Sequence, residues 1–155
     1  MKGSKKVIDC LNALLTHELS AADQYFIHAR MYEDMGLSKL HTRIEHERDE
    51  ELEHAGLLIN RILFLEGHPD VGSRAPLNVG KDVTSMLTND LEYEYDVVKR
   101  LRAAIALCET EQDFHSREIL LKLLNDTEED HALWLEQQLG LIKMVGIGNY
   151  IQSQT

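Results

Sequence analysis

A chain of 155 residues, 43% of them hydrophobic, is long enough to bury one continuous core, short for two, and too apolar to stay disordered. Asp and Glu outnumber Lys and Arg by 27 to 16, giving a formal charge of −11 that makes a nucleic-acid backbone a poor partner and favours cations. Two prolines, few aromatics and many Leu, Glu, Ala and Lys describe a single all-α domain over residues 1–155, and no run approaches the ~18 apolar residues of a membrane span.

The spacing of Val7, Leu11, Leu14, Leu15, Ala22, Tyr25, Phe26 and Ala29 predicts a first helix from Lys5 to Met35, ended by Gly36. Ser38 caps a second helix with an inward stripe of Ile44, Leu58, Ile62 and Leu65, stopping at Gly67 with Pro69 beyond. Residues 67–80 hold both prolines and three glycines and form an ordered connection without helix. A third helix runs from about Asp82 to Cys108 on Val83, Leu87, Leu91, Val98, Leu101 and Ile105. A fourth runs from Asp113 to Lys143 on Phe114, Leu121, Leu124, Leu135 and Ile142, and a short helical stretch falls within Asn149 to Gln154. Helices of this length span roughly 45 Å. Short junctions make each flanking pair antiparallel, while the long central connection runs the length of the bundle, so the expected fold is a four-helix bundle with one long crossover. Cys10 and Cys108 lie far apart and read as small buried residues. With Asp9 and Asn12 interrupting the apolar stretch near the amino terminus, they fit a reducing cytoplasm.

Two Glu-x-x-His pairs occur, Glu51 with His54 and Glu128 with His131. In a chain this rich in both residues one pair is background, so position decides. The second stripe continues Ile44, Glu47, Glu51, His54, Leu58, and the fourth reads Leu121, Leu124, Glu128, His131, Leu135. Acid interrupts the other stripes as well, with Glu18 between Leu14 and Ala22 and Glu94 between Leu91 and Val98. Glu18 precedes Glu51 by 33 residues and Glu94 precedes Glu128 by 34, a two-fold pseudo-repeat of helix pairs. Four buried carboxylates and two imidazoles cost several kcal/mol each without compensation. No Lys or Arg occupies a matching inward position, so two divalent metals are the expected counter-charge. Tyr25 reads first as a core aromatic with a hydroxyl partner and second as a redox residue, Trp134 as packing, and His46, Glu47 and Glu50 as an acidic patch beside the site.

Over essentially its whole length the sequence resembles the bacterioferritins, through Met1-Lys2-Gly3, Asn12 to Glu18, Gln24-Tyr25-Phe26, His28 to Asp34, Arg61 to Gly67 and Gly146 to Tyr150. The resemblance implies the ferritin-like fold with a short fifth helix, and a cytoplasmic cage of 24 subunits storing ferric mineral. It also implies a ferroxidase centre binding two irons at Glu18, Glu51, His54, Glu94, Glu128 and His131, with Glu51 and Glu128 bridging. His46 and Glu50 correspond to the family's inner-surface iron site. The substrates implied are Fe(II) with O2 or H2O2, and a ferredoxin-type protein is the reductant for release. The family ligates haem through a methionine where this chain has Leu52, which has no lone pair to give. Haem therefore does not carry over, and a mixed cage with a haem-binding subunit stands beside the homomer. A peroxidase or di-manganese catalase is the rival on the same bundle. A DNA-protecting mini-ferritin does not fit, because its site lies between subunits and it carries a basic tail.

Overall fold

The computed structural model describes residues 1–155. Its elements are α1 (Lys5–Asp34), α2 (Ser38–Phe64), α3 (Val83–Thr110), α4 (Phe114–Asn125), a π-helical segment (Asp126–Ala132), α5 (Leu133–Val145) and α6 (Ile147–Ser153). There are no strands, and α4, the π segment and α5 join end to end as the fourth long rod of the bundle. No helix is long and apolar enough to cross a membrane.

The stripes read on the first three helices point inward as their spacing requires. Val7, Leu11, Leu14, Leu15, Ala22, Tyr25 and Ala29 are buried on α1, Ile44, Leu58 and Ile62 on α2, and Val83, Leu87, Leu91, Val98 and Leu101 on α3. Each fully buried Leu or Ile contributes about 1.5–3 kcal/mol of transfer free energy. Phe26 is half exposed on the outer face of α1, where Arg30 and Arg48 flank its ring.

The apolar core is not continuous. One half is built on Leu11, Leu15, Leu58, Leu101 and Leu120, the other on Tyr32, Leu40, Ile44, Leu87 and Tyr150. Between them lies a layer of buried acid and imidazole. The short α6 closes the second half, where the Tyr150 hydroxyl donates to Gln138 (2.8 Å) and the Lys39 amide donates to the Gln154 carbonyl (3.0 Å).

The fourth rod departs from the expected uninterrupted α-helix. Its buried side chains are Leu120, Leu123, Thr127, His131 and Leu135, while Leu121 is partly exposed and Phe114 more than half exposed. The segment Asp126–Ala132 is π-helical, with a wider turn that carries an extra residue. The expected stripe passes through 128, 124 and 121; the folded chain buries 127, 123 and 120, which lie four, eight and eleven residues before His131.

The crossover from Leu65 to Asp82 is extended and held along α1 by polar residues one or two helical turns apart. Asn12 donates to the His68 carbonyl (3.0 Å) and accepts from the Asp70 amide (2.8 Å). Ser20, Gln24 and His28 accept from the amides of Ala75 (2.8 Å), Asn78 (3.0 Å) and Gly80 (3.0 Å). Because His28 accepts at Nε2, its Nδ1 carries the proton and donates to Asp90 (2.9 Å), which also accepts from Gln24 (2.8 Å). The second helix ends at Phe64, before Gly67, and Glu66 takes the left-handed position at φ 63°. Gly67 is required for space, since a Cβ there would lie 2.7 Å from the Ile8 side chain.

The start of α4 is fixed by Asp113, which accepts from the Ser116 amide (3.0 Å) and from Arg61 of α2 (2.8 Å). Burial alone would raise the Asp113 pKa, but the bonds from Ser116 and Arg61 hold it below the ordinary 3.8. The group thus stabilises the fold above its ordinary titration range, and that contribution is lost as pH falls through the depressed folded value. Asp113→Ala removes the cap and strands Arg61, and should lower unfolding free energy by about 1–3 kcal/mol at pH 7. Urea melts at pH 7 and pH 3 check this: the gap between variant and wild type should shrink at the lower pH.

Candidate metal centre

Four rods converge on the polar layer. Glu18 comes from α1, Glu51 and His54 from successive turns of one α2 face, Glu94 from α3 and His131 from the π segment. All five are at most 2% exposed. Nδ1 of His54 lies 3.3 Å from Glu18 Oε2 and 3.7 Å from Glu51 Oε2. On the other side, Nδ1 of His131 lies 2.9 Å from Glu51 Oε1 and 3.5 Å from Glu94 Oε1. The imidazole rings stack with centroids 5.9 Å apart and planes 20° from parallel. Glu51 therefore presents one oxygen to each histidine.

These contacts leave hydrogen-bonding capacity unfilled. Glu18 Oε1, Glu51 Oε1 and His131 Nδ1 are buried without a hydrogen-bond partner, although the last two lie 2.9 Å apart. Donors about 2.1 Å from one ion sit about 3.0–3.4 Å from each other, so this spacing and misalignment suit atoms that face a metal. Glu18, Glu51 and His54 form one group and Glu51, Glu94 and His131 another, the ligating atoms of each lying within 4.8 Å of one another. Oxygen and imidazole nitrogen are donors for iron, manganese or zinc.

The electrostatics follow from burial. Burial and the neighbouring Glu51 push the Glu18 pKa well above the carboxylate range, and burial raises Glu94. Burial and Glu94 act to raise Glu51, but its bonds to Glu18, His131 and His54 outweigh them and hold it low. Burial would lower His54, yet Glu18 and Glu51 push it up to about 11, and Glu47, Glu51 and Glu94 likewise raise His131 against its burial. Without metal the layer thus compensates its acids with protons. The Tyr25 hydroxyl donates to Glu94, and burial together with that carboxylate raises its pKa.

Glu128 is not brought into this layer. Its side chain is 37% exposed and accepts from Arg102 of α3 (2.9 Å). The π turn puts Thr127 inside instead, its hydroxyl donating to the Leu123 carbonyl (2.8 Å). Of the two carboxylates expected to bridge, Glu51 faces both imidazoles in this structure, while Glu128 faces Arg102.

His46 and Glu50 lie on the Nε2 side of His131. Glu50 Oε1 is 3.1 Å from His46 Nε2, and Glu50 Oε2 is 2.7 Å from His131 Nε2. With Glu47 and Asp130 they make a further acidic group, within which Glu50, Glu47 and Asp130 gather around His131. Here a cation is present, because Arg43 donates to Glu47 and to Asp130 (2.8 Å) while stacking 4.7 Å above the Trp134 ring. Sequence reasoning did not find Arg43, Asp126 or Asp130. Asp126 and Asp130, one π turn apart beside His131, are the signal that an α-helical count places on the outer face. Leu52 is 48% exposed on the outer face of α2.

A model of the ferritin-like domain matches residues 8–145. The chain is 58% identical to the bacterial ferritin of Synechocystis sp. over 154 residues, covering 99% of both chains. It is 58% identical to the bacterial ferritin of Paramagnetospirillum magnetotacticum, covering 99% of this chain and 94% of that one. To the bacterioferritin of Rhodobacter capsulatus the identity is 42% over 146 residues, covering 94% of this chain and 90% of that one. Fold, buried acid layer and sequence likeness over nearly the full length together make this chain a member of the ferritin family.

Proposed function

We propose that the chain is an iron-storage ferritin subunit that takes up two Fe(II) in its buried layer, oxidises them and passes Fe(III) to a stored mineral. The observation that carries this is Glu51, whose two oxygens face two separate acid-and-imidazole groups with no Lys or Arg among their partners. Glu18 and His54 complete one binding position and Glu94 and His131 the other. Each Fe(II) gives one electron. O2 accepts both with two protons to leave H2O2, or H2O2 accepts both with two protons to leave two waters. The residues hold the two ions close enough for one oxidant to take both electrons, and the Tyr25 hydroxyl donates to the Glu94 oxygen that also faces His131.

His46 and Glu50 supply the way out, since Glu50 bridges from the more exposed His46 to His131 at the centre. Assembly into a 24-subunit cage gives the mineral its compartment, and a ferredoxin-type reductant would return the iron as Fe(II). A peroxidase or catalase on the same bundle would hold two ions per chain and no more, so the iron taken up per chain separates it from storage.

Loss of Glu51 removes a donor from both positions, so Glu51→Ala should abolish the fast phase of ferric absorbance in stopped-flow aerobic Fe(II) oxidation. Glu128→Ala should leave that phase close to wild type, because Glu128 faces Arg102. A fast phase surviving in Glu51→Ala, or disappearing in Glu128→Ala, would contradict the assignment.

Leu52 favours a second reading, in which this chain shares a mixed cage with a subunit that binds haem. A Leu-to-Met exchange conserves volume and costs under about 1.5 kcal/mol. Purified homomer should carry no haem, and Leu52→Met should acquire it at half-stoichiometry with a low-spin Soret spectrum. A colourless, fully assembled Leu52→Met variant would show that the pocket itself is missing.

A further inference from the structure

The fourth rod gives the His54 half of the centre no ligand once Glu128 faces outward, but it does give that half a carboxylate. Asp126 Oδ2 lies 2.9 Å from His54 Nε2, the ring nitrogen opposite the one that faces Glu18 and Glu51. The same oxygen accepts from Lys122 (3.0 Å), one helical turn earlier. His54 is 2% exposed while the Asp126 side chain is 31% exposed, so the carboxylate sits at the rim and reaches the buried ring from outside.

We infer that Asp126 is a positioning residue for the metal on the His54 side, fixing the ring and the proton on its Nε2 so that Nδ1 is presented to the ion. A histidine that ligates through one nitrogen is oriented, and made a better donor, by a carboxylate accepting from the other, and loss of such a partner typically weakens metal binding 10–100-fold. The other imidazole has the equivalent support, because Glu47 and Glu50 meet His131 Nε2 at 2.8 and 2.7 Å. Both rings are thus held between an inner carboxylate and an outer one. On the His54 side the outer acid is the first residue of the π segment, so the turn that removes Glu128 from the layer also begins with this support.

The inference builds on the reading that the layer binds metal, and the test separates the two. A His131→Ala background retains Glu18, Glu51 and His54, isolating the ion in question, and Co(II) titration followed by its visible absorption reads the affinity. Asp126→Ala in that background should weaken Co(II) binding 10–100-fold. Asp126→Asn, which keeps an acceptor, should recover part of the loss, and Lys122→Ala should stay within about threefold of the parent. In Zn(II)-loaded protein with 15N-labelled histidine, the His54 Nε2–H signal should persist in the parent and exchange away in Asp126→Ala. Unchanged Co(II) affinity in Asp126→Ala overturns the role. So does an equal loss in Lys122→Ala, which would assign the effect to an ion pair pinning the helix, or identical behaviour of the Asn and Ala variants. A parent background that binds no Co(II) overturns the metal reading itself, and the positioning role with it.

Discussion

Burying three carboxylates where no ammonium or guanidinium reaches them is the constraint around which this molecule is arranged. Glu18, Glu51 and Glu94 lie between two apolar half-cores, and apart from the bond between Glu18 and Glu51 their polar partners are His54, His131 and the Tyr25 hydroxyl. An apolar layer in their place would make a simpler and more stable bundle, since buried ionic groups are frequently replaceable by well-packed apolar ones without loss. Their retention, with buried oxygens that find no partner, marks a layer shaped for a charge that arrives from outside. The two half-cores supply the rigidity that layer needs. Packed helices on either side hold the donors in place against the mutual repulsion of like charges.

The crossover serves the same end. A connection of this length could lie loosely on the surface, yet Asn12, Ser20, Gln24 and His28 tie it to α1 at four points along the helix. His28 and Gln24 also grip Asp90, four residues before Glu94 on the same helix. The register of α3 relative to α1, and with it the spacing of Glu94 from Glu18, is fixed by hydrogen bonds as well as by packing.

How far the fold could be read from the sequence depends on how faithfully each helix keeps the 3.6-residue period. On α1, α2 and α3 the period is unbroken, and every inward position from Val7 to Leu101 that carries the site, Glu18, Glu51, His54 and Glu94 among them, falls where counting puts it. On the fourth rod the expected stripe is right at His131 and Leu135 and one residue off from Glu128 back to Leu121. The difference is one residue, enough to exchange Glu128 for Thr127 in the interior and Leu121 for Leu120. Glu128-x-x-His131 looks like Glu51-x-x-His54 in sequence, and only backbone geometry distinguishes a pair on one α-helical face from a pair split by a wider turn. Arg43 escaped the same count because a long side chain reaches past its own position: its backbone lies outside the stripe while its guanidinium bonds Glu47 within it.

Loss of Glu128 from the layer also makes the two halves of the centre unequal, which the internal repeat of the sequence conceals. The His54 side has Glu18, a share of Glu51 and a single outer acid, Asp126, partly committed to Lys122. The His131 side has Glu94, the other share of Glu51 and two outer acids, one of which continues to His46. Negative charge therefore accumulates from His54 toward His131 and onward to Glu50, while Arg43 caps the end of that gradient at Glu47 and Asp130. The fixed acids are thus placed unequally about the two imidazoles, and the π segment, where Glu128 meets Arg102 and Asp126 meets His54, is where the fourth rod departs from the symmetry of the internal repeat.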